Sequence, residues 1–211
     1  MSIELKGISK AFRQKKLFDP LHVSFYAGAC HCIMGENGTG KTTLLKILAG
    51  LEKADTGTFH STGDCTFAGS NPYMLRGNVL DNLMFPMTLK RNKDKYTQKD
   101  AIRMLEKLGL EQLMDQDAST LSAGEKQKVA LGRALVWQPD VLLLDEPTAN
   151  IDRYMIENIE TILLDYVADP KHTLIIVSHD FEQVKRISGT LWTLKDQTLF
   201  KETEHGILKC C

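Results

Sequence analysis

Gly35-Glu-Asn-Gly-Thr-Gly-Lys41-Thr42 fits the pattern G-x-x-x-x-G-K-[ST], between a mostly apolar run, 30–34, and a helical pattern at Leu44, Leu45, Leu48 and Leu51. Strand, glycine loop and helix follow in the order that a phosphate-binding loop requires. Glycines let the backbone curl until successive N–H groups face phosphate oxygens, and the helix adds its positive N-terminal end. Lys41 is expected to neutralise the β and γ phosphates and the Thr42 hydroxyl to ligate Mg²⁺. Gly35, Glu36, Asn37, Gly38, Thr39, Gly40 and Thr43 are expected to complete the nucleotide site. The competing reading is a glycine loop that only turns the chain. Val141-Leu-Leu-Leu-Asp145-Glu146 weakens it, because four apolar residues ending in two acids are the partner element of a phosphate site. Asp145 is expected to hold Mg²⁺, usually through water, and Glu146 to orient or deprotonate the attacking water. Adjacent acids alone read as surface charge, but at the end of a buried strand they do not.

Outward from these elements, the short apolar segments 30–34, 141–144 and 174–177 read as parallel strands covered on both faces. Helical patterns lie between them, the second at Ala101, Met104, Leu105 and Leu108. Alternating strands and helices predict an α/β fold, with ligands at the carboxyl ends of the strands. The stretch 71–117 contains Pro72, Pro86 and a charged run at 90–95, followed by an amphipathic helix. It reads as a mostly helical subdomain inserted in the sheet domain. Residues 191–194 and 198–200 flank Lys195-Asp-Gln197 and predict a final hairpin.

With 43% hydrophobic and 25% charged residues, the 211-residue chain has the composition of one globular unit. A formal net charge of −1 supplies no basic field for nucleic acid, which is not expected as a partner. No apolar run approaches the length of a membrane span, and residues 1–12 lack the apolar core of a secretory signal, so a cytoplasmic location is expected. Five cysteines, an odd number, argue against a disulfide framework. Cys30 and Cys32 flank His31 in a pattern that invites a metal, but small core cysteines on a strand are the favoured reading. The terminal Cys210-Cys211 pair lacks the context of a prenylation signal and reads as a tail.

Leu121-Ser122-Ala123-Gly124-Glu125 then makes the chain resemble the ATP-binding cassette of ABC proteins, since it is close to that family's signature. The resemblance runs from Phe12, at the position of the adenine-stacking aromatic, to Ser178-His179-Asp180, which matches the switch-histidine segment. Ala149-Asn-Ile-Asp152 looks like the D-loop placed at the dimer seam. The resemblance implies a P-loop NTPase with the ABC ATPase fold. A mostly parallel sheet core carries an N-terminal antiparallel β element and a helical signature subdomain at about 71–135, inserted in a RecA-like core of a single 1–211 domain. It implies ATP and Mg²⁺ as cofactors and ATP hydrolysis with Glu146, His179 and Lys41 as the catalytic residues. Thr42 and Asp145 are the implied metal ligands. Ser122 and Gly124 are implied to face the γ-phosphate bound to a second ABC cassette, with a homodimer expected. Ser122 with Glu125 is also a capping box that starts a helix. His179 is implied to donate to the γ-phosphate, whereas His22, His31, His60, His172 and His205 read as surface or core residues.

Two positions depart from the family pattern. Ser70 stands where a Gln usually senses Mg²⁺ and the attacking water, and it is too short for the same reach. Ala123 replaces a glycine while leaving Ser122 and Gly124 in register. The implied function is the motor subunit of a membrane transporter, with separate transmembrane permease subunits. Membrane association is expected only through that permease, on the inner face of the cell membrane. The segment Pro72-Tyr-Met-Leu-Arg76 and residues 105–113 look similar to single-cassette bacterial importers. Two alternatives stand beside this one: a soluble regulatory or mechanochemical ABC ATPase, and a low-turnover nucleotide switch made conceivable by Ser70.

Overall fold

The computed structural model describes residues 2–13, 15–89, 95–187, 189–203 and 206–210. The three apolar segments become β3 (Ala29–Met34), β6 (Val141–Asp145) and β7 (Thr173–Val177). β7 lies between β3 and β6, β8 (Thr190–Lys195) lies outside β3, and β5 (Cys65–Ala68) lies outside β6, all five running parallel. Their sequences omit the usual polar alternation because both faces are covered. Leu142, Leu144, Leu174 and Ile176 enter one core, while Val141, Leu143, Ile175 and Val177 enter the other.

The same alternation answers the Cys-His-Cys pattern. Cys30 and Cys32 share one face, their Sγ atoms 3.8 Å apart, and His31 points to the opposite core. There Trp192 Nε1–H donates to His31 Nδ1 at 3.3 Å, and Nε2–H donates to the Tyr26 carbonyl at 2.9 Å. With both ring nitrogens engaged across the sheet from the thiols, the three residues are core. Burial pushes the His31 pKa down, consistent with this neutral ring.

The second face is covered by an antiparallel sheet in the order β2-β1-β4, made of β1 (Ser2–Phe12), β2 (Lys15–Tyr26) and β4 (Thr56–Ser61). Its Ile3, Leu5, Phe18, Leu21 and Phe25 pack with Leu44, Leu45, Ile47 and Leu48 of α1 (Lys41–Leu48). The helix ends earlier than its apolar spacing suggests. Gly50 adopts φ +71°, its N–H bonds the Ile47 carbonyl at 3.0 Å, and the Leu51 N–H bonds the Lys46 carbonyl at 2.8 Å. This glycine-terminated cap throws Leu51, expected on the helical stripe, into solvent at 65% exposure.

The first face carries α4 (Ala123–Leu135) and α5 (Arg153–Val167), together with α2 (Val79–Met84) and α3 (Gln98–Lys107). The insertion between β5 and β6 is helical, as expected, and short 3₁₀ turns at Phe85–Thr88, Glu111–Leu113 and Ala118–Thr120 link its pieces. Ala101, Leu105 and Leu108 bury one side of α3 against the core that the sheet also lines, so insertion and sheet share one apolar interior. Residues 90–94 of the charged run lie outside the described residues.

The hairpin forms from β8 and β9 (Thr198–Thr203), and α6 (Phe181–Ile187) precedes it. Beyond it lies a further strand, β10 (Gly206–Cys210), antiparallel to β9 with Cys210 opposite Leu199, so Cys210, expected in a terminal tail, belongs to the sheet. The reason is the otherwise open edge of β9, whose main-chain groups gain partners when one more strand is added. His205 and Cys211 lie outside the described residues. Among the described residues no helix is long and apolar enough to cross a membrane.

Candidate functional site

The strand order β3-β7-β6 brings three carboxyl ends together: the glycine loop after β3, Ser178 and His179 after β7, and Asp145 with Glu146 at the end of β6. Gly35 begins the loop at φ +146°, and a Cβ there would sit 2.4 Å from the Leu194 carbonyl oxygen, so only glycine fits. The loop closes on Lys41, whose ammonium donates to the Gly35 carbonyl at 2.7 Å and the Glu36 carbonyl at 2.9 Å. Lys41 is buried, and that burial lowers its pKa against the opposing pull of the Glu146 and Asp145 carboxylates.

Thr42 Oγ1–H donates to Asp145 Oδ2 at 2.9 Å, joining the start of α1 to the end of β6. Glu146 follows in a left-handed conformation, φ +52°, with its N–H held by the Val177 carbonyl at 3.0 Å. This backbone, costing about 1–2 kcal/mol in a residue with a side chain, turns the carboxylate off the strand direction toward the loop. Glu146 Oε1 lies 2.9 Å from His179 Nε2, an ion-pair distance. Burial raises the Glu146 pKa; the His179 ring pulls it down and the neighbouring Asp145 charge pushes it up.

These groups line a cleft of about 390 Å³ together with Phe12, Asn37, Gly38, Gly40 and Thr43. Gly35, Glu36 and Thr39 do not line it, the Thr39 hydroxyl instead donating within the loop to the Glu36 carbonyl at 2.9 Å. Phe12 ends β1 at the mouth and is half exposed, with the Lys10 ammonium 4.9 Å from its ring centroid. Lys10 is itself fixed by Glu52 at 2.8 Å and by the Lys53 carbonyl at 2.7 Å. Ser70 also lines the cleft.

Ser122 and Gly124 are not in this cleft. They open α4, where Ser122 Oγ accepts from the Glu125 N–H at 3.3 Å and the Glu125 carboxylate accepts from the Ser122 N–H at 2.8 Å and its hydroxyl at 2.6 Å. The capping box is therefore formed, and the Ser122 hydroxyl bond holds the Glu125 carboxyl below its ordinary range. A Cβ on Gly124 would lie 2.5 Å from the Asn150 carbonyl oxygen, so the helix start packs directly on the segment that follows Glu146.

Three residues escape motif reading. Leu17 lines the cleft from β2. Gln127, buried on α4, donates from Nε2 to the Glu146 carbonyl at 3.3 Å. Gln183, fully buried on α6, reaches both loops that carry Glu146 and His179. Each acts through tertiary contact; for Gln127 and Gln183 the nearest sequence signal is a polar residue on the apolar side of a helix, and Leu17 has none.

The arrangement suits phosphate and a hard divalent ion. A glycine loop and a buried ammonium face an oxygen pair, Thr42 and Asp145, of the kind Mg²⁺ prefers while keeping waters and phosphate oxygens. A carboxylate and an imidazole stand beside them, fit to hold a water.

The family model described as ABC transporter matches residues 18–149. The tungstate uptake system ATP-binding protein TupC of Peptoclostridium acidaminophilum is 34% identical over 199 residues, covering 90% of this chain and 93% of that protein. The sulfate/thiosulfate import ATP-binding protein CysA 1 of Shewanella oneidensis is 35% identical over 204 residues, covering 89% of this chain; the chain spans 54% of that longer protein. A solved structure of an ATP-binding subunit of an ABC transporter superposes with a TM-score of 0.86 at 18% identity, covering 93% of this chain and 87% of that one.

Proposed function

The chain belongs to the ABC transporter family as an ATP-binding, ATP-hydrolysing subunit of a transporter, and from that premise we propose that it powers an importer. The observation that carries the direction is the likeness to a tungstate uptake ATPase along 93% of that protein's length. The sulfate/thiosulfate relative points the same way and suggests an oxyanion cargo. That cargo is recognised by other subunits, so nothing in this chain's cleft selects it.

Family membership brings the use of ATP and Mg²⁺. In this chain Lys41 and the loop amides would hold the β and γ phosphates, and Thr42 and Asp145 the metal. Bound Mg²⁺ supplies charge neutralisation across the phosphate oxygens. Glu146 positions and deprotonates the attacking water, and His179 donates toward the γ-phosphate while fixing the Glu146 carboxylate. Phe12 presents a ring face to adenine.

Ser122 and Gly124, outside their own chain's cleft, would complete the site of a second copy, with the α4 N-terminus directed at the γ-phosphate. Two chains would then close around two nucleotides and reopen after phosphate release. The chain would lie at the inner face of the membrane, held there by permease subunits.

Affinity purification of the chain from its own detergent-solubilised membranes is the direct test. A polytopic membrane protein is expected to copurify, and that complex in liposomes is expected to move cargo toward the cassette side only with ATP. Purification without a membrane partner, or movement in the opposite direction, would defeat the importer reading. Separately, Phe12→Ala is expected to weaken ATP binding by about 2- to 10-fold, the worth of one ring stack. Unchanged affinity in a fluorescent-nucleotide titration would remove Phe12 from the site.

A further inference from the structure

We propose that Gln183 is a positioning residue for hydrolysis: its buried carboxamide ties Thr148 to Ser178 and so sets the spacing of Glu146 and His179. The inference rests on the reading of Glu146 and His179 as the hydrolytic pair.

Thr148 stands two residues after Glu146, and Ser178 immediately precedes His179. The Ser178 hydroxyl donates to Gln183 Oε1 at 3.0 Å, and Gln183 Nε2 donates to Thr148 Oγ1 at 3.1 Å. One amide thus bridges the loops at the ends of β6 and β7. Behind it, Nε2 lies 3.4 Å from Glu160 Oε1, and Glu160 is held by two bonds of 2.7 Å from the Arg186 guanidinium. The amide is fully buried, so its orientation is dictated by donors and acceptors on three sides rather than by solvent.

Packing alone does not call for this chemistry. Buried polar and ionic groups are commonly replaced by apolar ones of similar volume at little cost in stability. What this network does locally is brace a strained backbone. Glu146 is held at φ +52° by its Val177 and Gln127 bonds, and Thr148 is the next fixed point along the chain. A residue in that region keeps its conformation only where its surroundings over-determine it. Releasing the Thr148 and Ser178 tethers frees the Glu146 carboxylate and the His179 ring to drift apart, while Lys41 and the glycine loop lie outside the network.

The test compares Gln183→Met, which keeps volume and removes the hydrogen bonds, with the parent chain. ATPase kcat is expected to fall about 10- to 100-fold, the cost of misplacing a reacting group by about an ångström, with ATP affinity and KM within about twofold. The paired exchange Gln183→Glu with Glu160→Gln restores one amide, one carboxylate and one guanidinium, and it is expected to recover most of kcat. Thr148→Val keeps the side-chain shape and removes only the bonds between Thr148 and Gln183, and it gives the same readout, a smaller fall in kcat at unchanged affinity, if Gln183→Met fails to fold. An unchanged kcat in a folded Gln183→Met or Thr148→Val protein overturns the proposal. So does a parallel loss of kcat and affinity that the paired exchange does not repair. Glu146→Gln run alongside separates the two levels. If it retains turnover, the hydrolytic reading falls and takes this inference with it; if it is inactive while Gln183→Met is normal, only the role of Gln183 falls.

Discussion

Glu146→Gln is expected to lower the ATPase rate by at least about 100-fold while leaving nucleotide binding intact, since general-base catalysis contributes about 10²–10⁴. The substitution preserves shape and changes only charge and basicity. The left-handed backbone and its Val177 bond depend on main-chain atoms, so the glutamine occupies the same place. Folding is not expected to suffer. Burial raises the Glu146 pKa, so the ionised carboxylate is held at a cost that builds as pH rises from its unfolded to its raised folded pKa and stays constant above it, and a neutral amide escapes that cost. The melting temperature at neutral pH should be unchanged or slightly higher. With hydrolysis blocked and binding retained, ATP should hold two chains together, visible as a dimer in size-exclusion chromatography with ATP but not ADP. Turnover within threefold of the parent, or no ATP-dependent dimer, would show that Glu146 is not the base.

Lys41→Ala should act at the earlier step, by removing nucleotide affinity. The ammonium is buried at the loop's centre, fixed on the Gly35 and Glu36 carbonyls and directed to the same cleft as Asp145 and Glu146. Without it, two carboxylates face incoming phosphate with no side-chain cation in the loop, and repulsion adds to the lost contact. A hydrogen bond to a charged group is worth about 1.5–3 kcal/mol, which corresponds to a loss of roughly 10- to 150-fold in ATP affinity. Calorimetric titration reads this directly. Comparable affinity with slower turnover would move Lys41 from binding to chemistry, and unchanged affinity and turnover would dismiss the site. Together the two substitutions separate function by stage: one chain binds and cannot hydrolyse, the other is impaired at binding.

The position of Ser70 bears on how such binding is passed to a membrane partner. It lines the cleft beside Lys41, Thr42 and Glu146, at the root of the segment that leads into the helical insertion. A hydroxyl there lines the cleft but is two heavy atoms shorter than a glutamine amide. Asn82 and Arg133 hold the following turn instead: Arg133 donates to the Tyr73 carbonyl at 2.7 Å and to Asn82 Oδ1 at 3.1 Å, and Asn82 accepts from the Leu75 N–H at 2.9 Å. The loop is thereby fixed to α4, the helix that begins at Ser122.

Local chemistry made much of this protein legible before any coordinate. The glycine loop, the acids after β6 and the capping box at Ser122 are written in neighbouring residues, because each depends on backbone conformations and hydrogen bonds within a few positions. The alternation of buried strands and helices followed from where apolar side chains must go. Two positions lie beyond such local cues: Leu51 continues the helical spacing but lies past a Gly50 cap, and Cys210, expected in a terminal tail, ends a strand. A C-terminal cap and a free sheet edge are settled by which hydrogen-bond partners are available in space.

By itself, then, the sequence determined the fold class, the phosphate loop and the order of the cleft residues, since these rest on short-range sterics and on burial. Only the tertiary structure decided that β7 separates β3 from β6 so that Lys41, Glu146 and His179 meet. It also decided that Cys30 and Cys32 face away from His31, that Gly124 abuts Asn150, and that Gln183 bridges two loops. Those relations join residues as far apart in the chain as Lys41 and His179 through sheet order and core packing, and no local pattern of side chains encodes them.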